Sequence, residues 1–171
     1  MGATIITNFL RFVILVLIQV LFLKNTGYYN LATPYLYILF ILLLPFEIPN
    51  FLLFLLSFLI GITVDVFSDT LGLNAAACSL LALVRVLFIS VTVQKDGFDN
   101  EPEPRLGLMG FRWFFFYAVF LTFFHHLVLF SLEVFRFSDL PFILLRTLLS
   151  SLFTIVLIMI AEFIFFRRKV R

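Results

Sequence analysis

Three groups of side chains in this sequence could do chemistry: the carboxylates Asp65 and Asp69, the arginines Arg85 and Arg146, and the adjacent pair His125 and His126. The two aspartates lie in Gly61-Ile-Thr-Val-Asp-Val-Phe-Ser-Asp-Thr-Leu-Gly72, which closes a long apolar run. In a helix, Gly61, Asp65, Ser68 and Gly72 fall at i, i+4, i+7 and i+11, one stripe that cannot face lipid. Two carboxylates alone make a poor magnesium cage, and residues 46–60 supply no further aspartate. Adjacent histidines point to different faces of a helix and no His-Glu-x2-His spacing occurs, so His125 and His126 read as core or interfacial residues.

Asp65 and Arg85 form the sharpest pair. A charge in hydrocarbon costs at least about 2.5 kcal/mol on insertion scales, so such residues are rare and usually partnered. With a rise of about 1.5 Å per residue, Asp65 lies only about 6 Å nearer one surface than Arg85, and an arginine leaning toward its helix N-terminus can close that gap. A structural ion pair is the expectation, ahead of a ligand or transport role. Arg146, with Ser150 and Thr154 below it, either joins this polar core or snorkels to the headgroups.

The elements that carry these residues are set by composition. Of 171 residues 63% are hydrophobic, 26 are Phe and 13% are charged, and the mean hydropathy is +1.17. No water-soluble domain could cover so much apolar surface, and the apolar runs are continuous rather than alternating, which excludes a β-barrel. The expected fold is all-α and polytopic, with six transmembrane helices over about 5–23, 31–46, 51–67, 75–93, 111–130 and 141–166, in a single membrane domain 1–171. Pro45-Phe-Glu-Ile-Pro49 turns the second span into the third. Residues 94–110, rich in charge, Pro and Gly, read as a polar loop. One cysteine, Cys78, supports neither a disulfide framework nor a zinc site. No base-activated nucleophile and no nucleotide loop are visible, so no enzyme, cofactor, metal or nucleic-acid partner is expected.

Basic residues orient the chain. With both termini cytoplasmic, Arg11, Lys95, Arg105, Arg112, Arg167, Arg168, Lys169 and Arg171 lie inside, against Lys24 and Arg136 outside. The loop 94–110 is then cytoplasmic, and the basic tail favours anionic lipid.

Two family resemblances bear on function. The spacing Gly61-x3-Asp65-x3-Asp69 is similar to the second half of the metal signature of CDP-alcohol phosphotransferases, but the first half, Asp-x2-Asp-Gly-x2-Ala-Arg, is absent and that activity is not expected. Over essentially the whole chain, six spans, the Pro-Phe-Glu-x-Pro turn, Gly61-x3-Asp65-x2-Ser68-Asp69-x2-Gly72-x-Asn74-Ala75-Ala76, Arg85 in the next span and a basic tail resemble the rod shape-determining protein MreD family. The Phe-rich style is similar to members from Bacteroidetes. The resemblance implies a non-enzymatic subunit of the bacterial inner (cytoplasmic) membrane that associates with an MreC-like protein and, indirectly, with the MreB filament, a RodA-type glycosyltransferase and a penicillin-binding transpeptidase in lateral peptidoglycan synthesis and cell shape. The alternative is likeness to the substrate-binding S-components of energy-coupling-factor transporters, which are also six-helix proteins.

If function is assembly, a partner helix needs a face of small residues that permits close approach. The candidates are the exposed portion of the span-four stripe through Ala75, Cys78 or Ser79, Ala82 and Val86, part of which must face span three, and the stripe of span six through Ser150, Thr154 and Ala161.

Overall fold

In chain order the elements are α1 (Gly2–Ile18), continued by a π-helical turn Gln19–Leu23; α2 (Leu39–Leu42), preceded by a 3-10 turn Leu36–Ile38; α3 (Asn50–Ser68); α4 (Leu73–Asp96); α5 (Leu106–Met109); α6 (Phe111–Val134); and α7 (Leu140–Ile164). This computed structural model describes residues 2–24, 26, 32–96, 103–134 and 139–164, with the side chains of 2–4 and 94–96 excepted. Arg136, the basic tail 167–171 and residues 97–102 of the polar loop lie outside the described residues.

The fold is all-α, and among the described residues five helices, those at Ile5–Leu23, Asn50–Ser68, Leu73–Val93, Phe111–Val134 and Leu140–Ile164, are long and apolar enough to cross a membrane, a crossing needing about 20 residues. Their outward faces are Phe, Leu and Ile, while small and polar residues turn inward: Ser57 and Asp65 on α3, Cys78, Ala82 and Arg85 on α4, His125 and His126 on α6, Ser150 and Thr154 on α7 are all buried. This inverts a soluble protein, because lipid is as apolar as leucine and helices associate through close packing and hydrogen bonds instead. Gly61 makes such an approach possible between α3 and α4. A Cβ there would stand 2.5 Å from Ala75 Cα and 2.7 Å from the Asn74 carbonyl.

The expected second span departs from a full helix. Lys24, after α1, donates to the Phe67 carbonyl near the end of α3, so α1 and α3 run the same way, and the described residues 32–49 lead back toward the Arg11 end. That return is non-helical over 33–35 and helical only over 36–42. Proline explains it. Pro34 and Pro45 leave residues 35–44 between them, enough for about 15 Å of helix, half of a hydrocarbon core about 30 Å thick. The short segment sits at the centre of the bundle, with Tyr37, Ile38, Ile41 and Leu42 fully buried.

Candidate functional site

Irregular backbone at membrane depth is tolerated only where protein groups satisfy it, and the polar residues of the long helices do this for residues 33–45. At its start, the backbone N–H of Thr33 donates to Ser150 Oγ at 3.0 Å and that of Tyr35 to Thr154 Oγ1 at 3.0 Å. Gln19, in the π turn, donates through Nε2 to the Pro34 carbonyl at 3.1 Å. At its finish, four successive carbonyls are captured. Tyr117 donates to Leu42 O at 2.9 Å, Arg11 to Leu43 O at 3.0 Å, and Arg85 to Leu44 O and to Pro45 O at 3.3 Å. Arg85 Nε also donates to Tyr117 Oη at 3.1 Å. Carbonyls at a helix C-terminus carry the negative end of its dipole, which is where cations belong.

Asp65 does the converse at the other end. Its Oδ1 accepts from the backbone N–H of Asn74 at 3.1 Å, from Asn74 Nδ2 at 2.9 Å and from the Thr70 hydroxyl. Its Oδ2 accepts from the backbone N–H of Ala75 at 2.9 Å. These amides are the second and third of α4, those an N-cap side chain normally satisfies. Gly72, at φ 79°, stands just before α4 and has no side chain to offer, so the cap comes from the preceding helix. The expected Asp65–Arg85 ion pair is therefore corrected: each charge caps backbone, at opposite ends of the bundle. Backbone groups outcompete the opposite charge because they are fixed in place and would otherwise be unpaired in a dry interior.

The stripe Gly61, Asp65, Ser68, Gly72 also divides. Gly61 and Asp65 are buried against α4 and Ser68 is half-buried, but α3 ends at Ser68, with Asp69 in the left-handed region at φ 56°. Asp69 is an exposed turn residue whose carboxylate stands 3.9 Å from Lys24 Nζ. Arg146 neither joins Asp65 nor snorkels free: it pairs with Glu133 at 2.9 Å and lies 4.2 Å over the Phe130 ring.

A buried polar chain links the Asp65 cap to α6. The Tyr37 hydroxyl donates to Asn74 Oδ1 at 2.9 Å and lies 3.1 Å from His125 Nε2, while Cys78 Sγ donates to Tyr37 Oη at 3.7 Å. His126 stands 3.2 Å from Thr154 Oγ1. Both histidines are thus core residues. The polar loop is anchored at the Arg11 end, where Glu103 bonds Arg11 at 3.3 Å and Glu162 Oε2 accepts from the Leu106 N–H at 3.1 Å.

The centres of both small-residue stripes lie inside the bundle, leaving half-buried only Ser79 and Val86 on the span-four stripe and Ala161 on the span-six stripe. Ala82 and Ser150 are both fully buried, Ala82 inside the core cluster and Ser150 occupied by Thr33. The lateral surface is instead recessed between α1 and α3, in a groove of about 840 Å³ walled by Phe9, Phe12, Leu52 and Leu56, floored by Phe40, with the exposed Glu47 at its rim. Tyr117, Arg11 and Gln19 are site residues that sequence reasoning missed, and Asn74 stood in the Gly61–Ala76 motif without a role. Nothing in a sequence marks a backbone carbonyl as the partner of an arginine or a tyrosine.

No family model, no curated protein and no solved structure matches the chain.

Proposed function

We propose that the chain is a non-catalytic multi-pass subunit of a bacterial inner-membrane assembly, of the kind the MreD resemblance implies, supporting lateral wall synthesis through an MreC-like partner. The observation that carries this reading is the use of the intramembrane charges: Asp65 and Arg85 hold backbone and Arg146 holds Glu133, the work of a scaffold. On this reading the return through residues 32–45 counts as a sixth pass beside the five long helices, and the excess of Lys and Arg would put both termini on the cytoplasmic side. A single-pass partner then brings basic residues to its own cytoplasmic flank, where Glu47 rims the α1–α3 groove; we assign the docking face there, in place of the buried Ala82 and Ser150. The broken pass at membrane depth favours a second reading, an S-component-like transporter subunit, since discontinuous helices often frame substrate sites.

Depletion in the native host combined with a photocrosslinker at Leu56 separates the two. Cell rounding and a crosslinked single-pass protein support the first. Normal cell width, no crosslink and a stoichiometric small molecule retained on mass spectrometry support the second.

A further inference from the structure

Arg112 is exposed at the start of α6, and among the described residues it is the one arginine whose guanidinium has neither an ion-pair nor a hydrogen-bond partner. It lines a groove of about 610 Å³ together with Phe88, Thr92, Met109, Trp113 and Phe116. The place is informative. Gly110, at φ 82°, turns α5 into α6, and α5 is fastened to the Arg11 end by Glu162. The groove therefore begins at one end of two spanning helices, where the headgroups of a bilayer lie, and runs down toward Phe88 and Phe116 at hydrocarbon depth. Its walls are built: Trp113 stacks on Tyr117 at 4.9 Å between centroids and meets Phe88 at 6.0 Å and Phe46 at 6.4 Å.

We propose that this groove binds one anionic phospholipid, with Arg112 meeting the phosphate and the acyl chains lying along Phe88, Trp113 and Phe116. The charge fits an anion, because among the described residues Arg112 is the one charged residue lining the groove, and a guanidinium presents paired donors that match phosphate oxygens. An indole at headgroup level with an apolar wall below it matches the junction of headgroup and chain. The Glu47-rimmed groove between α1 and α3 carries the opposite charge and is not the lipid's site.

Trp113 is the single tryptophan of the chain, so its fluorescence reads this groove and no other. The full chain is reconstituted in phosphatidylcholine vesicles containing increasing fractions of brominated phosphatidylglycerol or, separately, brominated phosphatidylcholine. Brominated phosphatidylglycerol should reach half-maximal quenching of Trp113 at about a fivefold lower mole fraction, the selectivity of one basic residue near an anionic headgroup. Arg112→Glu should abolish the preference, Arg112→Lys should keep most of it, and Thr92→Phe should weaken quenching by both lipids by filling the groove. Inorganic phosphate at millimolar concentration should not restore unquenched fluorescence. Equal quenching by the two lipids in the wild type, or a preference that survives Arg112→Glu, would overturn the proposal; the latter result would assign lipid selectivity to other basic residues of the chain.

Discussion

At the Lys24 end a carboxylate, Asp65, meets the N–H groups that open α4. At the Arg11 end two guanidiniums, Arg85 and Arg11, meet the carbonyls that close the short central helix. The chemistry is mirrored but the wiring differs. Asp65 reaches residues 9 and 10 positions away, within one hairpin, whereas Arg85 reaches 41 positions, Arg11 32 and Tyr117 75. A local cap forms as soon as two neighbouring helices meet. The distant cap needs α1, α4 and α6 in place around the short segment, and it makes the central pass depend on the whole bundle.

That contrast orders the expected effects of substitution. Arg85→Met should be the most damaging, by about 3–5 kcal/mol in unfolding of the purified protein in bicelles, since the buried Leu44 carbonyl and Tyr117 hydroxyl would lose their charged donor and the half-buried Pro45 carbonyl its partner. A loss under about 1 kcal/mol would show that water already solvates this end. Asp65→Ala should cost about 2–4 kcal/mol, the sum of a lost cap and an unpaired buried amide. Asp69→Ala should stay within about 0.5 kcal/mol of wild type, because its contact with Lys24 is exposed and long; equal losses at Asp65 and Asp69 would remove the distinction between cap and turn. Gly61→Ala should cost about 1–3 kcal/mol, because the new methyl meets the Ala75 backbone rather than a movable side chain. Tyr117→Phe should be mildest among the buried changes, about 1–2 kcal/mol, with thermal unfolding in detergent as the check. It removes one donor to Leu42 and the acceptor of Arg85 Nε, while Arg85 keeps its bonds to the Leu44 and Pro45 carbonyls.

The difference between local and distant wiring also explains what the sequence made legible. Helix class and the five long apolar elements follow from run length, and the importance of Gly61 and Asp65 from small and acidic residues at helical spacing. The short central helix was hidden because Leu36 to Leu44 is as apolar as any span; Pro34 and Pro45 were the signal, and their spacing allows only half a crossing. The partner of Arg85 was hidden for another reason. Side-chain charges invite pairing by sign, yet the acceptors it found are peptide carbonyls, which every residue carries. Ser150 and Ala82 misled similarly: small residues mark close approach, and here the approaching groups belong to the same chain.

The independence of the two caps can be measured directly. Asn74 and Ala75 lie about 15 Å from Arg85 along α4, with no shared hydrogen-bond partner. In a double-mutant cycle of Asp65→Ala and Arg85→Met, read as unfolding free energy in bicelles, the double variant should cost the sum of the singles to within about 0.5 kcal/mol. A coupling of about 2 kcal/mol or more, with the double variant recovering stability relative to Arg85→Met alone, would mean that the two charges face each other after all.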